Sequence, residues 1–224
     1  MGFGMPTLMV SGLSLLLPAE QALAGMIGAT LVSNLWQALR QGVFAAWETV
    51  KAHRRFILLV LGCIALSAQA VPFMSDRMLY GVIACVVLLL SIAQLAGWRL
   101  RAVGPMTEWI FGIFTGLAGG IAGIWGPSTV IYLLALDLDK KSMVRIEGVV
   151  FGLGALVLAA AHLNSGVLNR DTAPLSAALI LPTVIGMQLG FWLQDRMNPE
   201  IFRRATLIGL TCAGLVLLQR AIVS

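Results

Sequence analysis

Long apolar segments fill most of this chain, and each is close to the length that crosses a lipid bilayer as a helix. About 20 apolar residues span the hydrocarbon core, where helices satisfy every backbone polar group internally. The chain is 59% hydrophobic and 11% charged, whereas soluble domains are about 25% charged. The sequence therefore predicts an all-α polytopic integral membrane protein with about seven to nine membrane helical segments. The long segments are residues 21–40, 56–71, 78–98, 106–124, 144–163, 173–193 and 199–223.

A glycine-rich stretch, GIFTGLAGGIAGIWGPST, interrupts this pattern. Gly112, Gly116 and Gly120 recur every four residues, so on a helix they leave a bare face that a neighbouring backbone can approach closely. Gly126-Pro127 then ends the helix, because proline lacks the N–H donor and clashes with the preceding turn. A broken membrane helix is tolerated only where the freed backbone is buried or lines a cavity. The stretch is therefore the candidate binding site.

The two halves of the chain resemble each other. The short apolar segment at 6–17 begins with Pro-Thr, and the one at 127–136 begins with Pro-Ser. In each half a long span, a polar loop, a second span and a closing span follow in the same order. The pattern predicts a first repeat at 1–98, a linker at 99–104 and a second repeat at 105–224, which together form one membrane domain.

Basic residues concentrate in alternate loops. Cytoplasmic loops of membrane proteins carry an excess of Lys and Arg, and the loops at 40–55, 99–104, 137–145 and 195–204 hold twelve of the fifteen basic residues. The net charge of +5 thus reflects loop bias, and no nucleic-acid partner is expected. The loop at 40–55 is then inside, but its equivalent at 164–172 is outside. The repeats are therefore predicted to have inverted topology, as in many secondary transporters.

The first repeat has no counterpart of the full span at 106–124, because the chain opens at its break. Either the protein lacks this first helix, or the sequence begins downstream of the true start. We favour the second interpretation. A half-helix exposed at the bilayer centre would leave backbone groups unsatisfied, at a cost on the order of several kcal/mol each.

Both breaks suit an oxyanion. The amino end of a half-helix presents unpaired N–H groups and about half a positive charge. The hydroxyls of Thr7, Ser128 and Thr129 add donors, and Trp125 is placed to form a wall. The alternative is that the glycines only allow tight packing and the prolines only a kink. The predicted substrate-binding residues here are Gly4, Met5, Pro6, Thr7, Gly123, Trp125, Gly126, Pro127, Ser128 and Thr129.

Asn34 and Gln37 lie three residues apart, on one face of the span at 21–40. Polar side chains at this depth line a transport route in some proteins and join helices by hydrogen bonds in others. Both interpretations stay open. The two residues are included among the predicted substrate-binding residues.

Arg145 and Glu147 open the span at 144–163, and ionisable residues inside a membrane point to function. They are candidate coupling residues, with Glu147 as a carboxylate that carries protons. The alternatives are that Arg145 reaches back to the membrane surface and that Glu147 pairs with a loop lysine. His162, near the other end of this span, is interpreted as a satisfied or solvated residue.

The order of these features resembles the TauE/SafE family of sulfite exporters, also called toluene-sulfonate uptake permeases. The resemblance rests on the breaks before Pro6 and Pro127, the basic run at 140–145, and a Gly-x3-Gly span followed by residues 195–200. It covers nearly the whole chain. It implies a secondary transporter of sulfite, organosulfonates or other small sulfur-containing anions, working by alternating access. We expect a multi-pass protein of the bacterial cytoplasmic membrane.

A passive anion channel and a non-transporting membrane scaffold are the alternatives. An enzyme is not expected, because no nucleophile motif surrounds Ser128 and the sequence contains no phosphate loop or dinucleotide fingerprint. Cys63, Cys85 and Cys212 lie mid-span and are interpreted as small core residues. With no Cys/His cluster in the sequence, no metal and no cofactor are expected.

Overall fold

The computed structural model describes residues 4–39, 41–97, 104–138, 140–196 and 199–223, and it describes side chains there except at 4–8, 140–141, 187, 190–196, 199–200, 202–203 and 206. Helices make up 86% of the chain, and the described residues include no strand. The helices are α1 Gly4–Leu13, α2 Ala19–Leu39, α3 Val43–Ala52, α4 Arg54–Ser67, α5 Asp76–Leu95, α6 Pro105–Ala122, α7 Gly126–Ala135, α8 Lys140–Ser165, α9 Ala173–Ala178, α10 Ile180–Arg196 and α11 Pro199–Val223.

Four helical segments of the described chain are long and apolar enough to cross a membrane: Ala19–Leu39, Arg54–Phe73, Asp76–Leu95 and Ser142–Ser165. Shorter apolar helices accompany them. This confirms the prediction of an all-α polytopic membrane protein. It also explains why large apolar side chains are exposed on the outer faces, since lipid covers such faces.

The α2 and α8 helices cross closely because α8 has glycine where they meet. A Cβ at Gly148 would lie 2.9 Å from the carbonyl oxygen of Gln37, and a Cβ at Gly152 would lie 3.2 Å from that of Asn34. The contact moves toward the start of α2 as it moves along α8. The two helices are therefore antiparallel, with glycine permitting the backbone approach.

The predicted bare face of α6 packs against α4. A Cβ at Gly112 would lie 3.0 Å from Leu59, one at Gly116 would lie 2.6 Å from the carbonyl oxygen of Val60, and one at Gly120 would meet Ser67. These contacts advance along both helices together, so α4 and α6 are parallel. Every fourth position is glycine because any side chain there would push the two backbones apart.

The α5 and α11 helices form a third close pair, again antiparallel. The hydroxyl of Thr211 on α11 donates a hydrogen bond of 3.1 Å to the hydroxyl of Ser91 on α5, which donates to the carbonyl of Val87. Further along, a Cβ at Gly81 would lie 3.7 Å from Ala221.

The helical bundle has two polar ends. At one, a cavity of about 200 Å³ lies between α3 and the start of α8, and we name this the Arg145 end. Its lining residues are Glu48, Thr49, Ala52, His53, Leu138, Ser142, Arg145 and Ile146. At the other, which we name the Arg220 end, Arg220 of α11 donates to the carbonyls of Ser14 and Leu15 just after α1.

Three details differ from the sequence prediction. The charged loop at 40–55 contains the helix α3. The span at 56–71 starts at Arg54 and ends in a 3-10 segment, Ala68–Phe73, that contains Pro72. The span at 173–193 is divided into α9 and α10, because Pro182 has no N–H for the carbonyl of Ala178.

The interpretation of the cysteines as core residues is wrong for two of the three. Cys85 and Cys212 are exposed, and Cys63 is partly buried. Each exposed cysteine lies on the side of its helix that points away from the other helices, where a small apolar side chain meets lipid as readily as it meets a protein core.

Candidate functional site

The glycine-rich helix α6 ends in a tight reversal. Gly123 adopts a left-handed conformation with φ 68° and donates its N–H to the carbonyl of Gly119 at 2.9 Å. This is the usual way in which a glycine caps a helix carboxyl end. Only Ile124 and Trp125 then separate the cap from Gly126, where α7 begins. The sequence thus breaks the helix and restarts it within three residues.

Hydroxyl groups close the first turn of α7. Ser128 and Thr129 both donate to the carbonyl of Trp125, at 3.1 Å and 2.8 Å. Thr115 of α6 donates to the Ser128 hydroxyl at 2.9 Å. The protons of Ser128 and Thr129 are therefore directed at the Trp125 carbonyl in this structure, and they reach a ligand only after rotation of the side chain.

The backbone of this turn supplies the remaining donors. The amide of Thr129 bonds to the carbonyl of Trp125, and Pro127 has no N–H. The amides of Gly126 and Ser128 have no preceding helical turn to accept from them, and the described hydrogen bonds give them no other acceptor. Ser128 and Thr129 are fully buried. The amide N–H groups of Gly126 and Ser128 therefore lie without a described acceptor in a buried region, at the positive end of the α7 helix dipole.

Trp125 lies in the break and packs between α6 and α8. The indole is 1% exposed, and Cβ atoms built at Gly119 and Gly154 would lie 2.9 Å and 4.0 Å from it. Ile64, which contacts the same two glycines, lies near the middle of the Arg54–Phe73 span, and Gly154 lies near the middle of Ser142–Ser165. The break is therefore about halfway along both spans. Gly123 faces Met26 of α2.

The first predicted break lies at the start of α1, where the backbone of residues 4–7 is helical. The side chains of Met5, Pro6 and Thr7 lie outside the described part of the structure. The α1 helix packs against α2, α7 and α11 and runs toward the Arg220 end, whereas α7 runs toward Leu138 at the Arg145 end. The two short helices therefore run in opposite directions.

Asn34 and Gln37 lie where α2 crosses α8. Asn34 is 1% exposed, and its side-chain Nδ2 has no hydrogen-bond partner. Their backbones face Gly152 and Gly148. No described contact joins either residue to the α6–α7 break.

Glu147 is an ionisable residue of α8 that the fold buries completely. It is 1% exposed, and neither carboxylate oxygen has a hydrogen-bond partner. Burying an unpaired carboxylate costs far more than burying a paired one. Such a group is commonly retained for function. The side chains of Lys140 and Lys141, the predicted loop partners of Glu147, lie outside the described residues.

Arg145 does not accompany Glu147. It lines the cavity at the Arg145 end, and its Nε is buried without a hydrogen-bond partner. His53 faces the same cavity. Burial lowers the pKa of His53 from its usual 6.5, Glu108 opposes this shift, and Arg145 adds to it. The cavity therefore brings together residues from two separate parts of the chain, 48–53 and 138–146.

The interpretation of His162 as a satisfied or solvated residue holds only in part. It is 1% exposed, and its Nε2 atom has no hydrogen-bond partner. Nδ1 lies 3.4 Å from the hydroxyl of Ser165. The spacing of the two residues in the sequence indicated this burial. His162 follows Glu147 by about four helical turns, so the two lie on the same side of α8.

Comparison with known proteins places the chain in a family. The family model described as sulfite exporter TauE/SafE matches residues 1–217 of the 224. No curated protein and no solved structure matched. The match covers α1 to α10 and most of α11, including the break and the buried ionisable groups of α8. The chain belongs to the TauE/SafE sulfite exporter family.

Proposed function

We propose that this protein is a secondary transporter of small sulfur-containing oxyanions, such as sulfite or organosulfonates, and that the anion binds at the amino end of α7. One observation carries the proposal: the buried amides of Gly126 and Ser128 begin a half-helix about halfway across the membrane. An oxyanion supplies the acceptors that these donors lack, and the helix dipole favours its charge. The α1 amino end, with Gly4, Met5, Pro6 and Thr7, contributes from the opposite direction.

Packing between the helices supports the inverted repeats that this mechanism needs. Exchanging the proposed repeats, 1–98 and 105–224, relates α1 to α7, α2 to α8, α4 to α10 and α5 to α11. Each of the pairs α1–α7, α2–α8 and α5–α11 is in contact, and the α4–α8 contact has its counterpart in α10–α2. In three of the four equivalent pairs, a helix of one repeat therefore packs against its counterpart in the other repeat, as expected for repeats related by one axis. In transporters built in this way, one repeat rocks against the other around a fixed site.

Glu147 is the proposed proton-carrying group. It is buried on the Arg145 side of the break, and its carboxylate oxygens have no described hydrogen-bond partner. Its charge therefore changes at a place where charge is costly. A proton taken up here offsets the negative charge of the transported anion. Arg145, which lines the cavity on the same side, attracts anions toward the break through its charge. Asn34 lies where α2 crosses α8 and supplies a further polar group to the proposed site.

A carrier fits the structure better than an open pore. Trp125, Ser128 and Thr129 are at most 1% exposed, so the break is closed to solvent in this conformation. Alternating access requires such closed states, whereas a passive channel conducts through a continuous opening. Flux that saturates with substrate and is selective for sulfur oxyanions supports the carrier. Unsaturable flux of many anions supports the channel.

The chain contains a matched pair of hydroxyl contacts that tests the site. At the break, Thr115 donates to Ser128, and on the α5–α11 pair Thr211 donates to Ser91 in the same way. Ser128→Ala and Ser91→Ala each remove one buried hydroxyl of this kind. A hydrogen bond to a charged group contributes roughly 1.5–3 kcal/mol, so Ser128→Ala is expected to weaken sulfite binding by at least about tenfold.

The measurement is equilibrium binding of radiolabelled sulfite to both purified variants, with sulfite flux in proteoliposomes alongside. The proposal expects Ser91→Ala to bind and transport as the wild type does. Equal sulfite affinity in the two variants would remove the Ser128 hydroxyl from the site. Adding Gly126→Ala to Ser128→Ala is expected to abolish transport while the protein stays folded.

A further inference from the structure

His162 is a buried ionisable group for which the proposed function has so far given no use. Its imidazole lies close to the carbonyl of Gly120, three residues before the reversal at Gly123. Gln69 lies on the Arg220 side of His162 and donates a hydrogen bond to the carbonyl of Ala161 on α8. The unpartnered Nε2 therefore sits between the break and the polar layer at the Arg220 end.

His162 and Glu147 occupy one face of α8 on opposite sides of the break. They are 15 positions apart in the sequence, which corresponds to about 22 Å along a helix and a rotation of only about 60° from the same face. Phe151, Ala155 and Leu158, which lie between them, are each 1% exposed. Gly154, which contacts Trp125, lies halfway. One buried face of α8 thus carries an ionisable group on each side of the candidate anion site.

Few other charged groups approach His162. The α2 helix carries Glu20 in its first turn at the same end, and it has no other ionisable residue among its described positions. The α4 helix and the 3-10 segment contribute only Cys63 beyond the two arginines at the start of α4, and α6 contributes only Glu108 at the far end. None of these is a hydrogen-bond partner of the imidazole. The carbonyl of Gly120 lies close to the imidazole, but no acidic side chain of the described residues is a hydrogen-bond partner of the ring, so a bound anion would supply the negative charge that protonated His162 lacks.

We propose that His162 binds a proton on the Arg220 side of the break and that the arriving oxyanion is the charge that stabilises it. This inference rests on the proposed function. In the tautomer that carries its proton on Nδ1, next to the Ser165 hydroxyl, Nε2 holds the lone pair that accepts a proton from water at that end. The imidazolium and the anion neutralise each other in the buried region. When the anion leaves toward the Arg220 end, the proton returns to water there.

The two groups of α8 then give transport a sided dependence on pH. Acid on the Arg220 side favours protonated His162 and so speeds anion binding from that side. Acid on the Arg145 side acts through Glu147. A single proton-binding group changes its protonated fraction by up to about tenfold per pH unit.

The test uses the two histidines as a matched pair. His162→Asn and His53→Asn are reconstituted in vesicles of one orientation, and sulfite flux is measured while pH is varied on each side separately. His53 has no assigned role in binding, and comparing the variants cancels the titration of sulfite itself. We expect His162→Asn to lose most of the response to pH on the Arg220 side, leaving less than about a twofold change per pH unit, while His53→Asn keeps it. Equal responses in both variants overturn the inference.

A second measurement leaves His162 in place. His53→Asn contains a single histidine, so the ring nitrogen signals of the ¹⁵N-labelled protein report His162 alone. Sulfite is expected to increase its protonation at constant pH, and unchanged signals in a protein that binds sulfite overturn the inference. If His53→Asn and the wild type both bind no sulfite, the proposed function fails as well.

Discussion

Thr115 of α6 donates a hydrogen bond of 2.9 Å to the hydroxyl of Ser128, the third residue of α7. Both side chains are fully buried. This single contact joins the glycine-rich helix to the first turn of the helix that follows the break. It holds Ser128 in a position where its own proton reaches the carbonyl of Trp125.

Replacing Thr115 separates the support of this turn from binding itself. Thr115→Val keeps the side-chain volume but removes the donor, and we expect a loss of about 1 kcal/mol in the free energy of unfolding. Sulfite affinity is expected to stay within about threefold of the wild type, because the helix amino end is unchanged. Thr211→Val is the matched control away from the break. A fall in affinity as large as that expected for Ser128→Ala would make Thr115 part of the site.

The α4–α6 contact predicts a steep cost for a single methyl group. A Cβ at Gly116 would lie 2.6 Å from the carbonyl oxygen of Val60, whereas a Cβ at Gly62, on the open face of α4, meets nothing within 4 Å. Gly116→Ala is expected to destabilise the protein by about 1–3 kcal/mol through overpacking. Gly62→Ala is expected to be neutral or to stabilise by up to about 1 kcal/mol, since alanine favours helix. Thermal melting in detergent measures both, and equal melting temperatures contradict the packing.

Glu147→Gln is expected to separate binding from coupling. The amide has nearly the shape of the carboxyl group but carries no titratable proton, so sulfite still binds while a proton gradient no longer drives its accumulation. The control is Glu20→Gln, which alters an exposed acid at the Arg220 end. Sulfite accumulation in vesicles with an imposed pH gradient is the measurement. Gradient-driven accumulation that persists in Glu147→Gln removes this residue from coupling.

His53 is expected to make the protein less stable in acid. Burial lowers the pKa of His53 below its usual 6.5, so the unfolded chain takes up a proton at a higher pH than the folded protein does. The contribution of neutral His53 to the free energy of unfolding is therefore fully present above about pH 6.5. It is lost as the pH falls through the pKa that His53 has in the folded protein. His53→Asn is expected to reduce this acid destabilisation, by less than about 1 kcal/mol because the ring is partly exposed. The expectation is contradicted if the melting temperatures of the wild type and His53→Asn fall by the same amount between pH 7.5 and 5.

Much of the fold is local enough to be predicted. Apolar length marks the spans, and proline and glycine mark the break at Gly126-Pro127, because both act on their own backbone. Periodic glycines identified the close-packed face of α6, but the sequence could not identify α4 as its partner. The helix α3 was missed because its charged residues indicate a loop, although a short helix at a membrane surface carries charge equally well.

The candidate site was predictable only where its chemistry is local. Ser128 and Trp125 follow directly from the break. The burial of His162 depends instead on the helices that α8 packs against, which no local pattern encodes. Asn34 and Gln37 share a helix face, as predicted, but that face meets α8 and has no described contact with the break.

The position of a bound oxyanion tests the central claim most directly. Selenite has the shape of sulfite, and its selenium is located by anomalous scattering in crystals of a variant whose three cysteines are replaced by alanine. The account predicts a selenium peak within about 4 Å of the Ser128 amide nitrogen, which is one hydrogen bond plus one Se–O bond away. A peak found only in the cavity beside Arg145, or none at the break under conditions in which the variant binds selenite, would contradict it.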